Sequence, residues 1–294
     1  MQEFVELTLG GISDGMIYAA VGLSLVLIWR GTRVLNYAQG GMAMFTSYIA
    51  IVVIDAGGSY WLGFVIALAS GLLLGAALER VVVRPTAGKP PLNAVIVTIG
   101  LLILIEGAAG IIYGSKNRSF PAAYSIVGAK VGNFALGPGS SPTAIFTAAS
   151  VLAAAGLLAL LFRFTPVGLR MRASAFSATV AQLMGVRVGR MTTLGWALAG
   201  LIGALAGMLV TPQTFLYPNS MDSIFVLGFT AAVIGGLDSP IGAIVGGLIL
   251  GVVLNYVTGY VGSNLPELAG LAILVLVLMF RPSGLFASAA TRQV

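Results

Sequence analysis

Few side chains in this 294-residue sequence have the chemistry for catalysis, metal binding or proton transfer. Histidine and cysteine are absent, which removes the commonest general base and the usual imidazole and thiolate metal ligands. No GxxxxGKS/T segment occurs, so the sequence predicts no phosphate-binding loop and no ATP hydrolysis by this chain. We therefore expect no catalytic residue, no metal site and no cofactor on the chain itself.

One carboxylate, Glu106, lies within a long apolar run, "LLILIEGAAG". An ionised carboxylate facing lipid is expensive, so this side chain must face the protein interior or a water-filled cavity, or be protonated. It could bind the ammonium group of an amino acid. A structural hydrogen bond to a neighbouring helix is the plainer interpretation. Asp14, near the outer end of the first apolar run, can reach interfacial water and is the weaker candidate.

Three amides are further candidates for lining a solute path. Asn36 and Gln39 lie at the start of an apolar run at 36–55, and Asn255 lies in a later run at 242–262. Uncharged amides suit the weak, multiple contacts that conduction requires. Each amide could equally form a hydrogen bond between helices, which contributes about 0.6 kcal/mol on average in membranes.

The elements that must position these residues are membrane helices. The sequence is 58% hydrophobic and 8% charged, with a mean hydropathy of +1.03, whereas an ordinary soluble domain is about 25% charged. We predict an all-α, polytopic membrane bundle of about 8–10 transmembrane helices, forming one domain over residues 1–294. The nine predicted spans are 8–29, 36–55, 60–79, 92–114, 143–163, 191–211, 222–237, 242–262 and 266–281. The seventh is short and interrupted by glycine, and is expected to be tilted, broken or partly re-entrant.

The basic residues are unevenly distributed between alternate connections. Of the 15 Lys and Arg residues, 12 fall in one set of connections and 3 in the other. Cytoplasmic loops carry the excess of positive charge, so the N-terminus is predicted outside and the C-terminus in the cytoplasm. This orientation signal accounts for the basic composition without nucleic-acid binding. The longest external connection, about 115–142, is either a docking surface for an external protein or a plain solvated loop.

Residues 164–190, the basic segment, carry several arginines on the predicted cytoplasmic side. Pro166 cannot continue the preceding helix and Gly185 is a natural helix stop, so a short helix is predicted over about 173–184. The small face of this helix consists of Ala173, Ala178 and Ala181. A partner protein's groove could accept that face, with arginines pairing to carboxylates or to anionic lipid headgroups. The alternative is a positively charged anchor with no partner.

Glycines recur at helical spacing in two of the predicted spans. The step from Gly203 to Gly207 is a small-xxx-small motif, which lets membrane helices approach closely. The residues expected to pack helices in this way are Gly200, Gly203, Gly207, Gly242 and Gly246. The rival interpretation is a sliding surface between conformations.

Four collinear stretches resemble the permeases of branched-chain amino acid ATP-binding-cassette (ABC) importers, the LivH group. They are 15–50, 168–191 ("GLRMRASAFSATVAQLMGVRVGRM"), 229–253 and 271–287. The resemblance implies a permease subunit in the bacterial cytoplasmic (inner) membrane, with 164–190 as the cytoplasmic coupling loop. It also implies three kinds of partner: a second permease (LivM-like, or a copy of this chain), two cytoplasmic ATPases that use ATP and magnesium, and an external solute-binding protein.

Individual residues inherit expected roles from this resemblance. The residues expected to contact the ATPase are Gly168, Arg170, Arg172, Ala173, Ala181 and Gly185. Family members often carry acidic residues in the middle of the loop, where this chain has the uncharged "SAFSAT". Asn36, Tyr37 and Gln39 match a family stretch that usually has His in place of Gln39. Tyr37 thus joins the path candidates, and no proton-coupled role is assigned there.

The resemblance leaves the cargo open among branched-chain or other small amino acids, urea and short amides, and sugars. Two other classes are possible on residues alone. A stand-alone secondary transporter or channel would need a set of ionisable residues at the membrane midplane, where Glu106 is almost alone. A membrane-embedded enzyme would need nucleophile, base or metal ligands that this sequence lacks.

Overall fold

The computed structural model describes residues 2–86, 88–131 and 134–286. Arg292, one of the counted basic residues, lies outside the described residues. Eleven α-helices occur in the described part of the chain: α1 (Gln2–Thr32), α2 (Gln39–Asp55), α3 (Tyr60–Leu78), α4 (Pro91–Tyr113), α5 (Pro142–Phe164), α6 (Pro166–Phe176), α7 (Ala178–Leu183), α8 (Val188–Val210), α9 (Asp222–Gly235), α10 (Pro240–Tyr256) and α11 (Pro266–Phe280). All but α6 and α7 correspond to predicted spans, which confirms the all-α, polytopic class.

Six of the apolar helices are long enough to cross a membrane, and α2, α9 and α11 are shorter apolar helices. The α3 helix continues through a π-helical turn, Glu79–Val83, and α10 through another, Val257–Val261. The seventh predicted span, α9, is an unbroken helix of 14 residues, about 21 Å long. It is therefore shorter than the ~30 Å hydrocarbon core.

The first helix is longer than predicted, because it begins at Gln2 and not near residue 8. Tertiary contacts support its first turns. Phe4 stacks on Tyr256 with ring centroids 5.6 Å apart, and the Thr8 hydroxyl lies 2.8 Å from the Tyr256 hydroxyl. The sequence did not indicate this extension because its first residues include several polar ones. The contacts with Tyr256 in α10 stabilise the helix there, and they are visible only in the folded structure.

The described part of the connection between α4 and α5, which is predicted to be external, contains regular structure. Its chain forms a short antiparallel hairpin, β1 (Lys130–Val131) with β2 (Phe134–Ala135), followed by a 3-10 turn over Pro138–Ser140. A Cβ at Gly139 would overlap the backbone of Leu9 in α1. This part of the connection is therefore packed on the start of α1.

Backbone contacts divide the chain into two compact units. Unit 1 comprises the described parts of Met1–Val26, Ala122–Val151 and Ser223–Val294. Unit 2 comprises those of Leu27–Pro121 and Leu152–Asp222. Each unit has its own set of close helix contacts.

In unit 1, the first part of α1 packs on α9 and α10 through glycines. A Cβ at Gly15 would lie 2.9 Å from the Cα of Leu248, and one at Gly22 would lie 3.0 Å from the carbonyl oxygen of Gly228. The expected packing residues Gly242 and Gly246 face α9, where a Cβ would overlap backbone carbonyls. The apolar core beside them consists of Leu227, Ala231, Ile234, Leu250 and Leu254.

In unit 2, α8 is enclosed by α2 and α3 and presents a different glycine to each. A Cβ at Gly200 would overlap the carbonyl of Gly71 in α3. A Cβ at Gly207 would lie 2.6 Å from the carbonyl oxygen of Ala43 in α2, and one at Gly203 would overlap the side chain of Gln39. These contacts leave no room for larger side chains on either face.

We predict that Gly200→Ala destabilises the protein, because the added methyl group must push α3 away from α8. Overpacking of this kind costs about 1–3 kcal/mol. Gly156→Ala in α5 is the matched control, since a Cβ there meets nothing within 4 Å and alanine is the better helix former by about 1 kcal/mol. Thermal unfolding in detergent, followed by size-exclusion chromatography, should rank Gly156→Ala at or above wild type and Gly200→Ala below it. Equal stabilities would contradict the assigned packing.

Candidate functional site

The basic segment folds as two short helices, which corrects the single helix predicted over about 173–184. Thr165 accepts a hydrogen bond from the Gly168 amide (3.0 Å) and Pro166 occupies the first turn, so α6 begins at Pro166. Ser177 has an extended backbone, and its hydroxyl accepts from the Val180 amide (3.3 Å), starting α7 anew. The stretch "SAFSAT" contains no Gly or Pro that would mark a helix end, so this N-cap was not predicted.

Three of the expected ATPase-contact residues shape the segment from inside. Gly168 is buried, and a Cβ there would lie 2.5 Å from the Cα of Phe162, so glycine lets α6 fold back on the end of α5. Ala181 is 3% exposed. Gly185 has φ +80°, a backbone that side chains rarely adopt, and it turns the chain from α7 into α8.

The burial of Ala181 corrects part of the predicted small face. Its methyl group points into unit 2 and is closed to a partner, whereas Ala173 and Ala178 are exposed. Arg170 and Arg172 are exposed as well. The outer surface of the segment therefore does not consist only of small side chains.

Large apolar side chains, which sequence reasoning missed, cover the outer surface of α6 and α7. Phe176 is 88% exposed, Leu183 82% and Met184 79%, with Val180 also exposed. These residues lie outside every candidate membrane span. Phe176 ends α6 before the break at Ser177, Val180 and Leu183 lie three residues apart in α7, and Met184 follows that helix. Their apolar character was visible in the sequence, whereas their common exposure was not. We name Phe176, Val180, Leu183 and Met184 the apolar stripe.

A buried ion pair holds the start of α8 to the end of α3, and sequence reasoning missed it too. Glu79, 2% exposed, accepts from Arg84 through Nε (3.1 Å) and Nη2 (2.9 Å). The same guanidinium donates to the Gly189 carbonyl (2.7 Å) and to the Thr193 hydroxyl (2.6 Å). Thr193 in turn donates to Glu79 (2.8 Å). The π-helical turn Glu79–Val83 leads directly to Arg84 and allows it to reach back to Glu79.

The path candidates Asn36 and Gln39 contact each other deep in unit 2. Both are almost fully buried. The Asn36 amide donates to Gln39 (3.0 Å), and the Gln39 amide donates to the Ala199 carbonyl in α8 (2.9 Å). This geometry is that of a hydrogen bond between helices. Tyr37 is half-buried.

The other two path candidates each bond to a residue distant in sequence. Glu106, half-buried in α4, accepts from Asn219 (3.0 Å), whose amide also lies 3.4 Å from Asp222. Asn255 donates to Asp14 across α10 and α1 (2.8 Å). Glu106 thus has the structural hydrogen bond anticipated for it, although its partner lies in the turn before α9. Among the described residues, no three His, Cys, Asp or Glu side chains are grouped so as to hold a metal ion.

Apolar helices joined by buried amides, with a structured basic segment outside the candidate spans, define a polytopic α-helical membrane protein. A family model described as "Branched-chain amino acid transport system / permease component" matches residues 7–280. The chain belongs to that family.

Relatives match over nearly the full length. The high-affinity branched-chain amino acid transport system permease protein LivH of Escherichia coli K12 is 27% identical, over 99% of this chain and 98% of the relative. The corresponding protein BraD of Pseudomonas aeruginosa is 26% identical over the same shares. A fructose import permease of Bifidobacterium longum, FruF, is 24% identical over 74% of this chain and 58% of the relative.

We predict that Glu79→Gln lowers stability, since it removes the ion pair and leaves the Arg84 guanidinium with an uncompensated charge. Breaking a buried pair costs about 3–5 kcal/mol. Because the Arg84 side chain is 38% exposed, we expect about half of that or less. Arg80→Gln, an exposed neighbour, is the control. A thermal shift equal in both variants would contradict a structural role for the network.

Proposed function

We propose that the chain is the permease subunit of an ABC importer that carries branched-chain or other small amino acids. ATP hydrolysis takes place in two separate ATPase subunits, an external solute-binding protein delivers the cargo, and a second permease completes the path. The full-length likeness to LivH and BraD supports this cargo over sugars, since the sugar-permease relative is covered over only 58% of its length. Urea and short amides remain the alternative cargo.

The observation that carries the proposal is the apolar stripe. Large apolar side chains exposed on a polar, helical segment outside the spans mark a protein contact surface. The uncharged middle of α6 and α7 makes this contact mainly apolar, with Arg170 and Arg172 at its side. Gly168, Ala181 and Gly185 act by holding the segment in shape, and Ala173 lies on its exposed surface.

The coupling step follows from how the segment is anchored. The turn at Gly185 leads directly into α8, whose first turn is held to α3 by Arg84. Movement of an ATPase against α6 and α7 is therefore passed to α3 and α8 together. Such rigid-body displacement of packed helices is what alternating access requires.

Orientation and membrane are part of the same proposal. We place the basic segment and the C-terminus in the cytoplasm and the N-terminus outside, because 12 of the 15 basic residues fall in that set of connections. The packed connection at 115–142 then faces the solute-binding protein. The subunit lies in the cytoplasmic membrane, and the two units serve one permease domain.

A secondary transporter is the competing class. It would need ionisable side chains free to bind an ion or proton. Of the carboxylates within the candidate spans, Asp14 and Glu106 each accept a hydrogen bond from an amide, and Glu79 is paired with Arg84. The sequence has no histidine to add a further titratable partner. The ABC permease proposal accounts better for an inert interior joined to an exposed contact surface.

We expect Leu183→Ser to reduce ATP-driven uptake by about tenfold, since a lost large apolar contact at an interface costs at least ~1.4 kcal/mol. Gln182→Ser, on the adjacent exposed position of α7, should leave uptake near wild type. The measurement is transport per ATP hydrolysed in proteoliposomes that contain the complete complex. Equal uptake in the two variants would remove the stripe from the coupling surface.

Cargo and driving force are tested together in the same proteoliposomes. We expect ATP-dependent accumulation of leucine, isoleucine or valine with the solute-binding protein present, and no accumulation of urea or fructose. The permease chain alone should accumulate nothing. Uphill uptake by the lone chain would favour a secondary transporter, whereas urea uptake by the full complex would overturn only the cargo.

A further inference from the structure

A cavity of about 330 Å³ opens beside the apolar stripe, between α6, the turn after α7 and the first turn of α8. Three arginines are among the residues that line it: Arg170, Arg187 and Arg190. All three arginines are exposed. Within the described residues, no acidic side chain pairs with any of them.

The walls of this cavity are fixed by helix packing. The Met171 methyl group lies 3.7 Å from where a Cβ would stand at Gly195, so α6 runs along α8. The positive φ of Gly185 brings the 184–187 turn back against them. The fold thus gathers three like charges around one concavity, which is unfavourable unless an anion neutralises them.

A nearby arginine shows the contrast. The Arg84 guanidinium lies 3.5 Å from where a Cβ would stand at Gly189, one residue from Arg190. Its charge is neutralised by the buried carboxylate of Glu79 in a two-pronged pair. Glu79 therefore neutralises the Arg84 guanidinium, whereas no carboxylate of the described residues pairs with Arg170, Arg187 or Arg190.

The cavity lies beside the ends of two candidate membrane spans. The candidate span of α5 ends at Phe164 and that of α8 begins at Val188, and the ends of spans are the part of a membrane protein that lipid headgroups surround. The remaining lining is partly apolar, with Met184, Val186 and Met191. A phosphate group placed among the guanidiniums would have its glycerol and upper acyl carbons against these side chains. Fork-shaped guanidiniums bind phosphate oxygens in pairs.

We propose that this cavity binds the phosphate group of an anionic lipid headgroup, held by Arg170, Arg187 and Arg190. The bound headgroup neutralises the cluster and fastens the start of α8 at the membrane surface. The inference does not depend on the cargo or on the ATPase contact. Free inorganic phosphate has the same chemistry, and the experiment below separates the two sources.

The test uses the full chain in nanodiscs, with bound lipids counted by native mass spectrometry. Three conditions are compared: phosphatidylcholine alone, phosphatidylcholine with phosphatidylglycerol, and phosphatidylcholine with inorganic phosphate in solution. The Arg187→Gln, Arg190→Gln double variant removes two cavity charges. The Arg80→Gln, Arg281→Gln double variant removes two exposed charges outside the cavity, and is the matched control.

Wild type and the control should retain phosphatidylglycerol in preference to phosphatidylcholine. The cavity variant should bind phosphatidylglycerol about tenfold more weakly for each guanidinium removed, the loss expected for a charge-assisted hydrogen bond. Lysine at both cavity positions should restore part of the affinity, because it keeps the charge without the fork. Competition between the two lipids on wild type alone gives the same preference without any variant.

Equal phosphatidylglycerol binding in the cavity variant and the control would overturn the proposal. Binding of inorganic phosphate by wild type, without a preference for phosphatidylglycerol, would support the phosphate site and overturn the headgroup as its source.

Discussion

Close backbone contact between helices at glycine is the interaction on which each unit of this protein depends. Lipid tails are as apolar as leucine, so helices in a membrane gain little from burying apolar side chains against one another. At Gly71 and Gly200, the backbones of α3 and α8 are in direct contact. At Gly15 and Gly22, the backbone of α1 is likewise in direct contact with those of α10 and α9. The 40 glycines of the sequence are therefore a packing device in these helices more than a source of flexibility.

Polar groups within the helices follow from the same solvent. A buried amide or carboxylate without a partner is costly in lipid, and several here are bonded to groups far along the chain. Gln39 bonds to the Ala199 carbonyl, 160 residues away, and Asn255 to Asp14, 241 residues away. Side chains that looked like solute contacts in the sequence thereby become cross-links between helices. Their assignment to a solute path remains a prediction.

The basic segment has a buried side and an exposed side, whose residues are interspersed along the sequence. Gly168 and Ala181 are buried and hold the fold, whereas the large side chains of Phe176, Leu183 and Met184 are exposed. Arginines lie to one side, three of them around a cavity. The Glu79–Arg84 pair connects this surface to the packed helices. A permease that is driven by separate ATPase subunits needs this arrangement, in which a contact surface outside the membrane is rigidly joined to the helices within it.

The nine apolar helices, the helical class and the family were determined by the sequence itself, because run length, charge and motif order are local properties of the chain. The limits of the basic segment were equally local, set by Pro166 and Gly185. The start of α1 at Gln2 and the burial of Ala181 were decided only by the tertiary structure. So were the partners of Glu79, Gln39 and Glu106. The cap at Ser177 is local, but the contacts made by Glu79 with Thr193, by Gln39, by Glu106 and by the start of α1 join residues distant in sequence. A pattern of neighbouring residues carries no record of which helix lies opposite.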